Sequence, residues 1–175
     1  MRSLSEIETA VKRASRSVGF SWGNSEEIGK SIRQLELFGL QGVKNLNQYY
    51  KDKETKKFED LTNNNETINA MAKYYTCSFM FDMEKAKVII EMHDGKVKHI
   101  NTNPGPLDPY DFALRASANT WKEFSQPIPK PMYHGIFSAS FRKDLKIEGN
   151  HLILMQNLRN FTVQFELLRK SGVPV

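Results

Sequence analysis

The chain is poor in the residues that most readily announce a chemistry. It carries a single cysteine, Cys77, so no internal disulfide can form, and neither a Cys-x-x-Cys nor a His-Glu-x-x-His spacing is present to suggest zinc. No apolar run approaches the ~20 residues that span a bilayer. The opening MRSLSEIETAVKRAS lacks the apolar centre of a secretory signal and carries acids at Glu6 and Glu8. A phosphate loop is missing too: Gly19-Phe20-Ser21-Trp22-Gly23 has neither the lysine nor the preceding strand, and Ser21 has no nucleophile-elbow pattern around it. These absences set the expectation of a cytoplasmic protein with no metal and no cofactor, in which Cys77 is a buried, inert thiol. There are no internal repeats.

What is present is ordinary in amount and informative in order. The 175 residues suffice for one domain with a real core, or one domain plus a helical appendage. A net charge of +5 invites a nucleic-acid reading. The basic residues are dispersed, however: Lys51, Lys53, Lys56 and Lys57 alternate with Asp52, Glu54 and Glu59. The best basic patch is Lys12, Arg13 and Arg16, which reads as a solvated helix face, and no nucleic-acid partner is expected.

The first third of the chain is helical in pattern. Ser3-Leu4-Ser5-Glu6 has capping-box spacing, and Leu4, Ile7, Ala10, Val11, Ala14 and Val18 share one stripe over residues 3–18, with Gly19 placed to cap it. A second helix is predicted from about Asn24, with Ile28, Ile32, Leu35 and Phe38 inward and Gly39 at its end. Phe20 and Trp22 are expected to anchor the turn between the two. Leu40 to Tyr50 suggests a short third helix, and the polar, Asn-rich stretch 51–65 reads as a linker or loop. The expected organisation is therefore a helical segment at 1–50, a linker at 51–65 and an α+β domain at 66–175.

Within 66–175 the pattern changes from period 3.6 to period 2. Tyr75, Cys77, Phe79, Phe81 and Met83 alternate with Thr76, Ser78 and Asp82, which predicts a half-buried strand. Lys87–His93 and Lys96–Asn101 flank Asp94-Gly95, a dipeptide suited to a tight hairpin. Prolines 104, 106 and 109 break regular structure before a further strand at 110–116. A short helix carrying Trp121 and Phe124 is expected next, with Thr120 and Glu123 at capping spacing. Residues 132–142 read as a helix, 144–148 and 151–156 as a second hairpin around Gly149-Asn150, and 158–170 as a closing helix. Strands with helices laid between them define an α+β fold.

Five phrases in this order carry a resemblance: Phe79-Met80-Phe81-Asp82, Asp94-Gly95-Lys96-Val97, Asp111-Phe112-Ala113-Leu114-Arg115-Ala116-Ser117 after the proline-rich loop, Trp121-Lys122-Glu123-Phe124, and Leu145-Lys146-Ile147-Glu148-Gly149-Asn150. Over residues 71–168 the chain resembles the sterol carrier protein 2 family in its divergent bacterial form, with Asn150 where that family usually has Asp. The resemblance implies a five-stranded mixed sheet covered by helices and enclosing an apolar tunnel for a lipid or other hydrophobic small molecule. Separately, the first forty residues, from Ser3-Leu4-Ser5-Glu6 through Gly19-Phe20-Ser21-Trp22-Gly23 to Lys30, resemble the start of a bacterial family of uncharacterised proteins.

A tunnel binder needs apolar side chains and no catalytic residue, because each methylene removed from water contributes about 0.8 kcal/mol before ordering costs. The candidate lining is Trp121, Phe124, Met132, Ile136, Phe137, Phe161, Phe165 and Leu168, and the same residues can equally be read as filling a core. An enzymatic reading rests on His134 paired with Asp108 or Asp111 for acid–base work. A third reading is an accessory protein with a closed core. It would meet a protein partner or form a homo-oligomer through residues 1–50, using Leu4, Ile7, Val11, Ile28, Ile32 and Leu35.

Overall fold

The computed structural model describes residues 3–171; residues 1 and 2, which open the expected 1–50 segment, and 172–175, which close the expected 66–175 segment, lie outside the described residues. The chain divides into two compact units, Met1–Lys53 and Glu54–Val175.

The first unit begins with α1 (Leu4–Ser17), whose start is set by the capping box. Ser3 Oγ accepts from the Glu6 amide at 3.3 Å, and the Glu6 carboxylate accepts from the Ser3 amide at 2.7 Å. Together they satisfy two otherwise orphaned donors. Gly19, at φ +90°, reverses the chain. Helix α2 (Trp22–Leu37) starts two residues earlier than its acids suggest, because Ser21 caps it by accepting from Asn24 N. The two helices approach closely at Gly29, where a Cβ would lie 2.7 Å from Lys12 Cγ. Phe20 packs on Tyr50 with ring centroids 6.2 Å apart, whereas Trp22 is exposed under the Arg16 guanidinium at 4.8 Å. Of the expected basic patch, Lys12 is engaged by Glu8 at 2.8 Å and Arg16 by the Phe20 carbonyl at 2.6 Å.

The predicted short third helix and the loop after it are one helix, α3 (Gly42–Asn63). Residues 51–63 are polar but contain no glycine or proline, and Phe58 and Thr62 recur four residues apart as buried positions. The asparagines are structural. Asn65 caps α4 (Glu66–Ala70) by accepting from Thr67 N and Ile68 N, and Asn63 Oδ1 accepts from Val97 N at 2.8 Å. Residues 72–74 make a single 3₁₀ turn into the sheet.

The sheet of the second unit has five strands: β1 (Cys77–Asp82), β2 (Lys87–His93), β3 (Lys96–Asn101), β4 (Phe112–Arg115) and β5 (Lys146–Gly149). Their spatial order is β3-β2-β1-β4-β5, mixed because β1 and β4 run parallel while the other pairs are antiparallel. The β2–β3 turn is formed by Asp94 at φ +47° and Gly95 at φ +71°, as that dipeptide predicts. The fold is thus the expected α+β class, with N-terminal helices followed by a five-stranded mixed sheet and helices.

Among the described residues of the unit there are four further helices: α5 (Ala118–Phe124), α6 (Ile136–Arg142), α7 (His151–Gln156) and α8 (Leu158–Ser171). Here the local predictions need correction. Ser117, not Thr120, caps α5, leaving the Thr120 hydroxyl to donate to Asp144. Helix α6 begins four residues late, after Met132 has adopted φ +76°. The expected second hairpin has only its first strand, because Asn150 is a helix cap rather than a turn residue. Its side chain accepts from Leu152 N and Ile153 N, and 151–156 winds into α7.

Candidate functional site: the helix-covered face of the sheet

Alternation along the strands sorts the sheet into two unlike faces. Phe79 and Phe81 of β1, Val88, Ile90 and Met92 of β2, and Phe112 and Leu114 of β4 join the buried side chains of the helices in one core. The other face carries only a small cluster, Met80, Ile89 and Ala113 with Tyr110 beside them. It is bordered by Arg115, which reaches Asp82 at 2.5 Å, Glu148 at 2.6 Å and the Tyr110 hydroxyl at 3.0 Å.

Helix α8 completes the first face. Phe161, Gln164, Phe165 and Leu168 recur at three- and four-residue intervals, so one stripe of the helix lies on the sheet. Phe161 stands edge-on to Phe79 at 5.0 Å and to Phe112 at 5.1 Å, in the geometry aromatic quadrupoles favour. Phe165 meets Phe124 at 5.1 Å and Trp121 at 6.1 Å, and Trp121 meets Phe81 at 5.3 Å. The aromatic contacts therefore run unbroken from the middle strands to α5. Trp121 can be wholly buried because its indole N–H donates to the Asp82 carbonyl at 2.9 Å.

Of the eight sequence-predicted residues, the structure brings six into this core: Trp121, Phe124, Ile136, Phe161, Phe165 and Leu168. Met132 and Phe137 are half-buried and stand outside it. Sequence reasoning missed the strand contribution of Phe79, Phe81 and Phe112, and it missed a buried polar pair. The Tyr75 hydroxyl donates to Gln164 Oε1 at 2.5 Å, and Gln164 Nε2 turns to Met92 Sδ at 3.2 Å. A glutamine on the apolar stripe of α8 was the available signal. Burial pushes the Tyr75 phenol well above its ordinary range, so it is a fixed donor. Burial, with the charge of Asp111 adding to it, likewise pushes the Cys77 thiol up to about 12.

The His134–Asp pair does not form. His134 is exposed, Asp111 accepts from Ser78 N at 2.7 Å, and Asp108 accepts from Asn101 and Gly105, each at 2.9 Å. Among the described residues, no three His, Cys, Asp or Glu side chains converge in a way that could hold a metal ion. No described helix is long and apolar enough to cross a membrane. The arrangement thus offers extensive apolar contact, with the neutral Tyr75–Gln164 pair inside it.

Comparison with known proteins agrees with this architecture. Residues 2–75 match a family described as "Protein of unknown function (DUF3726)", a longer stretch than the forty residues that suggested it. No curated protein matches the sequence. Among solved structures, the chain is similar to a crystal structure of sterol carrier protein 2, with a TM-score of 0.55 and 17% identity over 68% of this chain and 95% of that one. It is also similar to a conserved hypothetical protein of Thermus thermophilus, described as possibly a sterol carrier protein. There the TM-score is 0.51 and the identity 18%, over 67% of this chain and 86% of that one. The chain therefore has a sterol-carrier-protein-2-like α+β fold, and its N-terminal part matches an uncharacterised family.

Proposed function

We propose that the protein binds and carries a lipid or other hydrophobic small molecule between the sheet and the helices of residues 66–175, without catalysis, in the cytoplasm. The observation that carries the reading is the aromatic series from Phe79 and Phe112 through Phe161 and Trp121 to Phe124. A ligand sliding among such rings exchanges one apolar neighbour for another, at about 25 cal/mol for each Å² kept from water. Trp121, Phe124, Ile136, Phe161, Phe165 and Leu168 contact it, with Met132 and Phe137 at the border. The likeness to sterol carrier protein 2 supports the fold needed for this and leaves the ligand open. Phe161→Trp or Phe137→Trp is expected to weaken lipid loading by taking up ligand volume. Unchanged loading in both variants would contradict the assignment.

A second reading, docking or self-association through residues 1–50, is favoured by a groove of about 670 Å³ in the first unit. Val11, Leu40, Val43, Leu46 and Tyr50 line it. In the full chain, Leu40→Glu with Val43→Glu should lower the mass seen by light scattering if copies meet there. An unchanged mass removes self-association through that groove.

A further inference from the structure

The two edges of the sheet are unlike. At the β3 edge the Val97 N–H donates to Asn63 Oδ1 at 2.8 Å, and Lys96 Nζ donates to the Asn63 carbonyl and, at 2.7 Å, to Asn69 Oδ1. The end of α3 therefore covers the start of that strand, and a bulge at Glu91/Met92 distorts its pairing with β2. Strand β3 also carries Lys96 and Lys98 with no acid, so two copies of it repel. The β5 edge has none of these guards.

The direction of the β5 backbone follows from hydrogen bonds at the strand ends. Ala116 N donates to the Asp82 carbonyl at 3.2 Å, so the even-numbered residues of β4 bond β1. Ala113 and Arg115 are left to bond their β5 partners, Glu148 and Lys146. Asn150 N, which donates to the Asp111 carbonyl at 2.7 Å, lies on that same side of β5. The N–H and C=O of Ile147 therefore point away from β4, off the edge of the sheet, and no described group hydrogen-bonds them. Burial agrees: Lys146, Glu148 and Gly149 are exposed and Ile147 is half-buried, whereas its β4 partner Leu114 is wholly buried.

The charges on either side of Ile147 complement each other when the strand is reversed. Lys146 lies directly opposite Arg115, a like charge on the same face, and has no carboxylate partner among the described residues. Glu148 gives Oε2 to Arg115 at 2.6 Å and keeps Oε1 for another cation. Antiparallel pairing of β5 with a second β5, centred on Ile147, lets the two Ile147 residues exchange N–H···O bonds and sets each Lys146 opposite the other copy's Glu148. We infer that the protein forms a twofold dimer with a second copy of this chain through β5, joining two five-stranded sheets into one of ten strands. Residues opposite one another share a face, so both helix-covered faces lie on one side of the joined sheet. Strands of four residues bury little surface, so the dimer is weak and forms as concentration rises. The inference is independent of the carrier reading.

The test is sedimentation velocity of the full chain over a concentration series, in which the mass is expected to rise from monomer towards dimer. Lys146→Glu sets acid opposite acid at both ends of the paired strands, and Glu148→Lys sets base opposite base. Each substitution is expected to weaken dimerisation at least about tenfold. An equimolar mixture of the two variants restores both opposite-charge pairs and should dimerise as the unaltered chain does. Ile147→Pro removes the edge-facing N–H without taking a bond from β4, and should leave a monomer. A monomer at every concentration, undiminished dimers in both charge variants, or a mixture that associates no better than its components overturns the inference. A dimer kept in Ile147→Pro but lost in Leu40→Glu with Val43→Glu overturns it too, and assigns the contact to residues 1–50.

Discussion

Tyr75→Phe tests how the polar pair sits in the apolar core. The substitution removes one oxygen and leaves the ring, so it opens almost no cavity. Its cost lies at the partner: Gln164 is fully buried, and its Oε1 loses the hydroxyl that donates at 2.5 Å. An orphaned buried acceptor costs about 1–3 kcal/mol, so destabilisation of that size is expected. Gln164→Met, which orphans the Tyr75 hydroxyl instead, should cost a similar amount. Combined, the two substitutions leave neither group unpaired, and the double variant should lose far less than the sum. A coupling of about 1–3 kcal/mol should therefore appear in a double-mutant cycle by urea unfolding, with the buried Trp121 as the fluorescence probe. Additive costs, within about 0.5 kcal/mol, would refute the reasoning and mean that the bond contributes nothing of its own.

Three further outcomes follow from local geometry. Cys77, buried and with its thiol pushed up to about 12, should react with a thiol reagent only as fast as the second unit opens; prompt labelling of the native protein would contradict its placement. Gly149→Ala should destabilise by about 1–3 kcal/mol, since φ is +93° and a Cβ would stand 2.5 Å from the Asp111 carbonyl oxygen; an unchanged urea midpoint would argue against the close β4–β5 approach. Burial raises the Asp144 carboxyl, but bonds from Thr120 and Ser117 outweigh it and leave the group below its ordinary range. Its contribution is thus complete above the ordinary aspartate value near ~4 and disappears as pH falls through the lower folded value, so Asp144→Asn should flatten that part of the acid limb of stability.

The elements that were legible in the sequence are those whose signal is local. Ser3 with Glu6 and Asp94 with Gly95 each specify backbone geometry within four residues, and both occur as read. The stripe Phe161–Phe165–Leu168 was equally plain, because burial on one side of a helix imposes its period. What was misread depended on context. Residues 51–63 look like a loop by polarity, yet their inward positions, Phe58 and Thr62, are too sparse to show as a stripe. Leu152, Ile153 and Leu154 look like a strand until Asn150 is seen to cap them into α7. The candidate site was half visible. Its helical half could be named from apolar spacing, whereas the phenylalanines of β1 and β4 become partners of α8 only through the parallel β1–β4 pairing, which joins residues 33 apart in sequence. The bonds from Arg169 to the Phe124 and Tyr133 carbonyls have no local signature at all, since those acceptors lie far away in sequence.

The central claim is that the core face of the sheet accepts a hydrophobic guest. Native mass spectrometry of the purified full chain, followed by organic extraction, tests it most directly. The carrier reading predicts a co-purified apolar molecule of defined mass, or uptake of one from a mixed lipid pool, lost or reduced in Phe161→Trp. A clean ligand-free mass that stays unchanged after exposure to that pool would contradict it, and would make Trp121, Phe161 and their neighbours the filling of a closed core.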